Sequence, residues 1–174
     1  EKSSPSSKEI LKNRLNFIKK WGIFDEKGTP FEELIKGGQI SIIDLSAYAE
    51  VENGNKIKAL VIGLLSSEIL KKRMDARKDE ELKLIKDPTG KGQSEMPMLW
   101  MFIDEAHEFL PKEGQTAATF PLIELLREGR QPGISLVLAT QQPGQIHTDV
   151  MTQSDIIISH RVTSNFDVTA LNEI

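Results

Sequence analysis

Three apolar runs punctuate the second half of the chain: MLWMFI from Met98, SLVLAT from Ser135 to Thr140, and DIIIS from Asp155 to Ser159. Short, nearly continuous runs of this kind predict strands of a parallel sheet, and the first reads as buried on both faces. An earlier run, QISIIDLS from Gln39 to Ser46, follows Gly37-Gly38 and predicts a further strand. Between these runs the period changes to that of helices. Ser6 and Glu9 have capping-box spacing ahead of Ile10, Leu11, Leu15, Ile18 and Trp21. Thr29, Pro30 and Glu32 start a second helix of about two turns that Gly37-Gly38 stops. From Lys56, the residues Ile57, Leu60, Val61, Leu64, Leu65 and Ile69 trace one wide apolar face of a covering helix. Thr116 to Glu128 predicts another, with Ala118, Leu122, Ile123, Leu125 and Leu126 inward. Pro121 is tolerable only in a first turn, which moves the regular start to Thr119 or Phe120. Ser164 and Asp167 signal a last helix start.

Strands alternating with helices predict an α/β protein, and 174 residues predict one core. A charged fraction of 28% and an apolar fraction of 39% are those of an ordinary globular chain. No apolar run reaches the length of a membrane span, and no signal peptide is evident. Cysteine is absent, which removes disulfides and thiolate metal sites and favours an intracellular, cytoplasmic setting. The net charge of -4 offers no bulk attraction for nucleic acid, so a DNA partner would need a local basic patch. The most charged stretch, Lys71 to Met96, reads as a solvated helix end running into a loop. Its rival reading is a DNA-facing loop using Lys71, Lys72, Arg73 and Arg77.

The candidate chemistry gathers where the strands end. Asp104 and Glu105 close the first run, Gln141 and Gln142 close the second, and His160, Arg161 and Thr163 follow the third. In nucleotide hydrolases on such sheets, the first carboxylate orders a hydrated Mg²⁺ and the second polarises the attacking water. Asp44, inside the Gln39–Ser46 run, either faces that same edge or hydrogen-bonds a neighbouring loop, and the second reading is the plainer one. DPTGKG at 87–92 has a phosphate-loop flavour, but the G-x-x-x-x-G-K-[ST] spacing is missing there and throughout the sequence. His107, His147 and His160 show no metal-binding spacing; His107, near Glu105, is a candidate for coupling the site to a neighbour.

Taken together, MFIDEAHEFLP, LLREGRQPGISLVLATQQP and DIIISHRVTSNFD resemble the Walker B, sensor and last-strand regions of the HerA/FtsK group of RecA-like translocating ATPases, and the archaeal HerA-type enzymes most of all. GGQISIIDLS resembles the strand before the covering helix in that group, so the resemblance runs over residues 37 to 172. It implies a partial RecA-like, P-loop NTPase type fold: three layers, a mainly parallel sheet, and short amino-terminal helices over 1–36 preceding an ATPase core over 37–174. It also implies roles. Asp104 would order Mg²⁺ through water, Glu105 would be the base, and Gln141 would sense the γ-phosphate or orient the water. Arg130, in the REGR turn, would be an arginine finger reaching a neighbouring subunit's nucleotide, with Arg127 in reserve or paired to Glu124 or Glu128. Arg161 would lie near the nucleotide.

The implied function is ATP-driven translocation on double-stranded DNA by a homo-hexamer, with ATP and Mg²⁺ as cofactors and a nuclease as partner. Asp104, Glu105, Arg130 and Gln141 are expected on one edge of the sheet. The missing phosphate-binding loop implies a carboxyl-terminal portion of a longer ATPase, inactive alone, or a degenerate paralogue. Two other readings stay open: a DEAH-type helicase, because residues 104–107 spell that motif, and a non-catalytic assembly module of a larger ATPase complex.

Overall fold

The computed structural model describes residues 5–19, 21–22, 27–87 and 96–172. Contacts divide the chain into two units, Glu1–Ile35 and Lys36–Ile174. The first contains helix α1, Pro5–Lys19, with Ile10, Leu11 and Leu15 exposed, and α2, Phe31–Leu34. The expected two-turn second helix is therefore a single turn, because the chain is already extended at Ile35.

The second unit is built on two parallel strands, β1 (Leu99–Ile103) and β2 (Ile134–Leu138), paired in register from Leu99 with Ile134 to Ile103 with Leu138. Helix α4, Thr119–Glu128, connects them after the turn at Ala106–Glu108. It starts at Thr119, which puts Pro121 in the first turn, where its missing N–H has no bond to lose. One face of the sheet, carrying Met101, Ile103, Leu136 and Leu138, packs on a core that includes Ala59, Ala106, Leu110, Ala118, Leu122 and Val150. The opposite face is not covered by the described residues: Trp100 and Phe102 stack on each other at 6.3 Å and stand 68% and 71% exposed. β1 is thus buried on one face where the sequence suggested two.

The covering helix α3, Gly54–Lys86, is 33 residues long and continues well past the expected solvated end. Opposite charges one turn apart support its outer half: Lys72 with Glu68, Lys78 with Asp75, and Arg77 with Glu80 and Glu81. Its inner half passes close to the segment leading into α4 at Gly63, where a Cβ would come within 2.5 Å of the Ala117 carbonyl. Arg73 is 1% exposed rather than DNA-facing. Its Nε donates to Pro132 O and its Nη1 to Met96 O, each at 2.6 Å, and Nη1 also meets Glu80 at 2.9 Å. One guanidinium thereby ties both lead-in segments of the sheet to α3.

Two expected strands are absent. Residues 39–45 and 155–164 carry no regular structure, and Ile40, Ile42, Ile156 and Ile158 are each at least 79% exposed. β-branched apolar residues favour a strand only where a neighbouring backbone pairs with it, and β1 and β2 are the only strands paired among the described residues. Helix α5, Thr148–Gln153, and the last helix α6, Asn165–Asn172, follow β2. The DPTGKG stretch lies outside the described residues apart from Asp87, an extended cap to α3.

Candidate active site at the ends of the parallel strands

The parallel ladder continues beyond both strands. Ala139 N donates to Ile103 O and Ala106 N donates to Ala139 O, each at 2.9 Å, which sets Asp104 and Glu105 beside Thr140 and Gln141. At this point the chain reverses. Glu105 takes φ 49° and ψ 44°, a left-handed conformation rare for a side chain of its kind, and so ends the strand and starts the Ala106–Glu108 turn. Asp104 Oδ1 accepts the Glu105 N–H at 2.9 Å and buttresses the reversal.

Glu105 is the centre of a small polar network. Gln141 Nε2 donates to its Oε1 at 2.5 Å, whereas Oε2 is buried and hydrogen-bonds nothing among the described residues. The nearest ring nitrogen is His107 Nδ1, 3.5 Å from Oε2 and 2.9 Å from Thr140 Oγ1. Thr140 Oγ1 also accepts from Gln142 N at 3.0 Å, and Gln142 Nε2 lies 3.3 Å from His107 Nε2. The turn carrying His107 is anchored from both sides. Lys58 of α3 meets Glu108 at 3.4 Å, and Thr116 and Thr119 hydroxyls both donate to Phe109 O. The loop after β2 is fixed by His147 N to Leu110 O and by Asp167 of α6, which accepts from Gly144 N.

Of the residues the sequence singles out, Asp104, Glu105 and Gln141 come together and two do not. Arg130 sits in the turn before β2, where Gly133 N donates to its carbonyl, at the edge where the strands begin. The expected single edge is corrected: in parallel strands, Arg130 and Glu105 flank opposite ends, about 13 Å of strand apart at ~3.3 Å per residue. Arg161 lies exposed in the irregular 155–164 segment. Arg127 pairs with Asp149 of α5 at 2.6 Å, not with Glu124 or Glu128. Asp44 is exposed and accepts from Ser46 N at 2.8 Å, a local turn bond that holds its carboxyl below the usual carboxylate range. Sequence reasoning brought Gln142 to the sheet edge without giving it a role, and missed Thr140, whose only signal is its place beside Gln141.

A pair of carboxylates at the end of one parallel strand, with a glutamine at the end of its neighbour, is the arrangement of a P-loop NTPase-like α/β protein, and the family match bears this out. The chain belongs to the zonular occludens toxin (Zot) family, whose family model matches residues 51–165. It is also similar to the DNA double-strand break repair helicase HerA of Sulfurisphaera tokodaii, 28% identical over 154 residues covering 88% of this chain and 28% of that protein. HerA of Pyrococcus furiosus is 25% identical over 76% of this chain and 26% of its own length. The probable HerA of Methanocaldococcus jannaschii reaches 36% identity, over 38% of this chain and 13% of its own. The chain thus spans about a quarter of the length of the relatives matched over most of it. Among the described residues no helix is long and apolar enough to cross a membrane.

Proposed function

We propose that this chain carries the hydrolytic part of the site of a HerA-type, ATP-driven motor that acts on double-stranded DNA. The observation that carries the reading is the pairing of Gln141 with Glu105 at the ends of adjacent parallel strands, with one oxygen of Glu105 buried and unbonded among the described residues. A carboxylate at a strand end, oriented by a side-chain amide from the neighbouring strand, is arranged to take a proton from a positioned water.

The donor set fits a nucleotide-bound Mg²⁺. Among the described residues no group of three or more His, Asp or Glu could hold a metal alone, and Mg²⁺ commonly meets a protein through one carboxylate, waters and phosphate oxygens. Asp104, exposed at the strand end, would hold it through water. When bound, the ion supplies charge neutralisation on the phosphates. Gln141 orients the attacking water or senses the γ-phosphate. Arg130, at the far edge, serves a nucleotide held by a neighbouring copy in a homo-hexamer, and Arg161 approaches the nucleotide. The phosphate-binding loop would come from sequence beyond these residues. A nuclease partner and a role in DNA end processing accord with the repair named in the HerA relatives.

The test is ATP hydrolysis by the longest protein its source encodes, with and without linear duplex DNA, in wild type and Glu105→Gln. Hydrolysis that DNA stimulates, and that Glu105→Gln lowers by about 100-fold or more with ATP binding retained, is expected. An assembled protein without hydrolysis would overturn the reading in favour of an assembly module.

A further inference from the structure

We infer that His107 is the positioning residue for Glu105, through a ring proton on Nδ1 that Thr140 Oγ1 and Glu105 Oε2 share. The inference rests on Glu105 acting as base. Four observations on one ring carry it. The Gln142 amide nitrogen faces Nε2 at 3.3 Å, and an amide N–H needs an acceptor there, so the neutral ring carries its proton on Nδ1. That N–H points at Thr140 Oγ1, 2.9 Å away. The same nitrogen is 3.5 Å from Glu105 Oε2, about half an ångström beyond an ordinary N–H···O bond. Oε2 is itself a buried carboxylate oxygen with no hydrogen-bond partner among the described residues, a state that is unfavourable unless a donor is close by.

A small rotation of the ring redirects the Nδ1–H hydrogen bond from the threonine to the carboxylate. Thr140 tolerates the loss, because its hydroxyl still accepts from Gln142 N at 3.0 Å. The ring itself is mostly enclosed, 16% exposed, and stands on a turn tied to α3 by Lys58 and Glu108. Gln141 fixes Oε1 and His107 steadies Oε2, so the carboxylate is held from both sides against its unfavourable backbone.

Two measurements test this, one independent of turnover. In the 174-residue chain, long-range ¹H–¹⁵N correlation of the imidazoles reads the tautomer of His107. The Nδ1-protonated form is expected, with an Nδ1 resonance that shifts on Glu105→Gln. An Nε2-protonated ring, or a resonance indifferent to Glu105→Gln, overturns the inference whether or not the protein hydrolyses ATP. In the longest protein, His107→Ala should lower kcat roughly tenfold or more with little change in KM for ATP. His107→Asn, whose amide N–H occupies the place of Nδ1–H, should recover most of the loss. His107→Gln, which reaches towards Nε2 instead, should not. Wild-type rates in His107→Ala, or equal loss in the alanine and asparagine variants, also overturn it. A wild type that hydrolyses and a Glu105→Gln that does not would then leave the proposed activity standing.

Discussion

The side-chain amide of Gln141 donates to Oε1 of Glu105 at 2.5 Å although 36 positions separate the two residues in sequence. Their meeting follows from the register: Ile103 pairs with Leu138, and each strand runs on in step to its polar end. The site is therefore a property of two strands and their pairing, and its variants should report on that geometry.

Gln141→Ala removes the hydrogen bond to Glu105 Oε1 and leaves the strands untouched. In the intact protein kcat should fall by about 10- to 100-fold while ATP binding is retained, read by steady-state hydrolysis beside a fluorescent nucleotide titration. Gln141→Glu, which sets two carboxylates face to face, should do worse than alanine.

Arg130 lies at the edge opposite Glu105, so a role for it in hydrolysis requires a second copy. Arg130→Ala and Glu105→Gln should each be inactive alone, and mixing the two proteins before assembly should restore measurable hydrolysis. Some interfaces then join an intact Glu105 to an intact Arg130. No recovery from mixed, assembled protein would remove Arg130 from the site.

Arg73 is buried and serves two carbonyls and a carboxylate. Arg73→Ala should destabilise the chain by about 3 kcal/mol or more in urea unfolding, since it removes the buried guanidinium bonds to Pro132 O and Met96 O and leaves Glu80 without this partner. Arg73→Lys should rescue little, because an ammonium lacks the fork that reaches all three acceptors. The exposed pair of Arg127 and Asp149 is a contrast: Arg127→Ala should cost about 1 kcal/mol at most.

Asp44 should titrate below the ordinary carboxylate range in a ¹³C NMR titration, because Ser46 N–H bonds its charged form. A lowered folded value means that this bond supports the fold above the unfolded carboxylate pKa and is lost as pH falls through the folded one. Ser46→Pro, which removes the donor at a first helical position, should return Asp44 to the ordinary range.

The sequence made β1, β2, α4 and the polar strand ends legible, because each strand is a short apolar run that ends in polar residues and is separated from the next by a helical period. The length of α3 was harder to read. Its outer half has no apolar stripe, and opposite charges spaced one turn apart, such as Arg77 and Glu81, look the same in a solvated loop until the backbone is helical. Ile40, Ile42, Ile156 and Ile158 carry strand propensity without a paired neighbour, and propensity alone does not form a sheet. Arg73 read as part of a solvated helix end, with a basic patch as the rival, because composition records charge and not the carbonyls that a folded chain brings to it. The His107–Thr140 contact was out of reach for a related reason: it depends on a register between strands that neither segment encodes alone.

The left-handed backbone of Glu105 has a consequence for how the protein tolerates change. Asparagine and glycine accept that conformation more readily than glutamate, by about 1 kcal/mol or more. Glu105→Gly and Glu105→Asn should therefore raise the melting temperature even as they take away the carboxylate. Any selection for thermal robustness alone would discard the acid, so the residue at 105 records whether the protein has been kept for its chemistry or only for its fold.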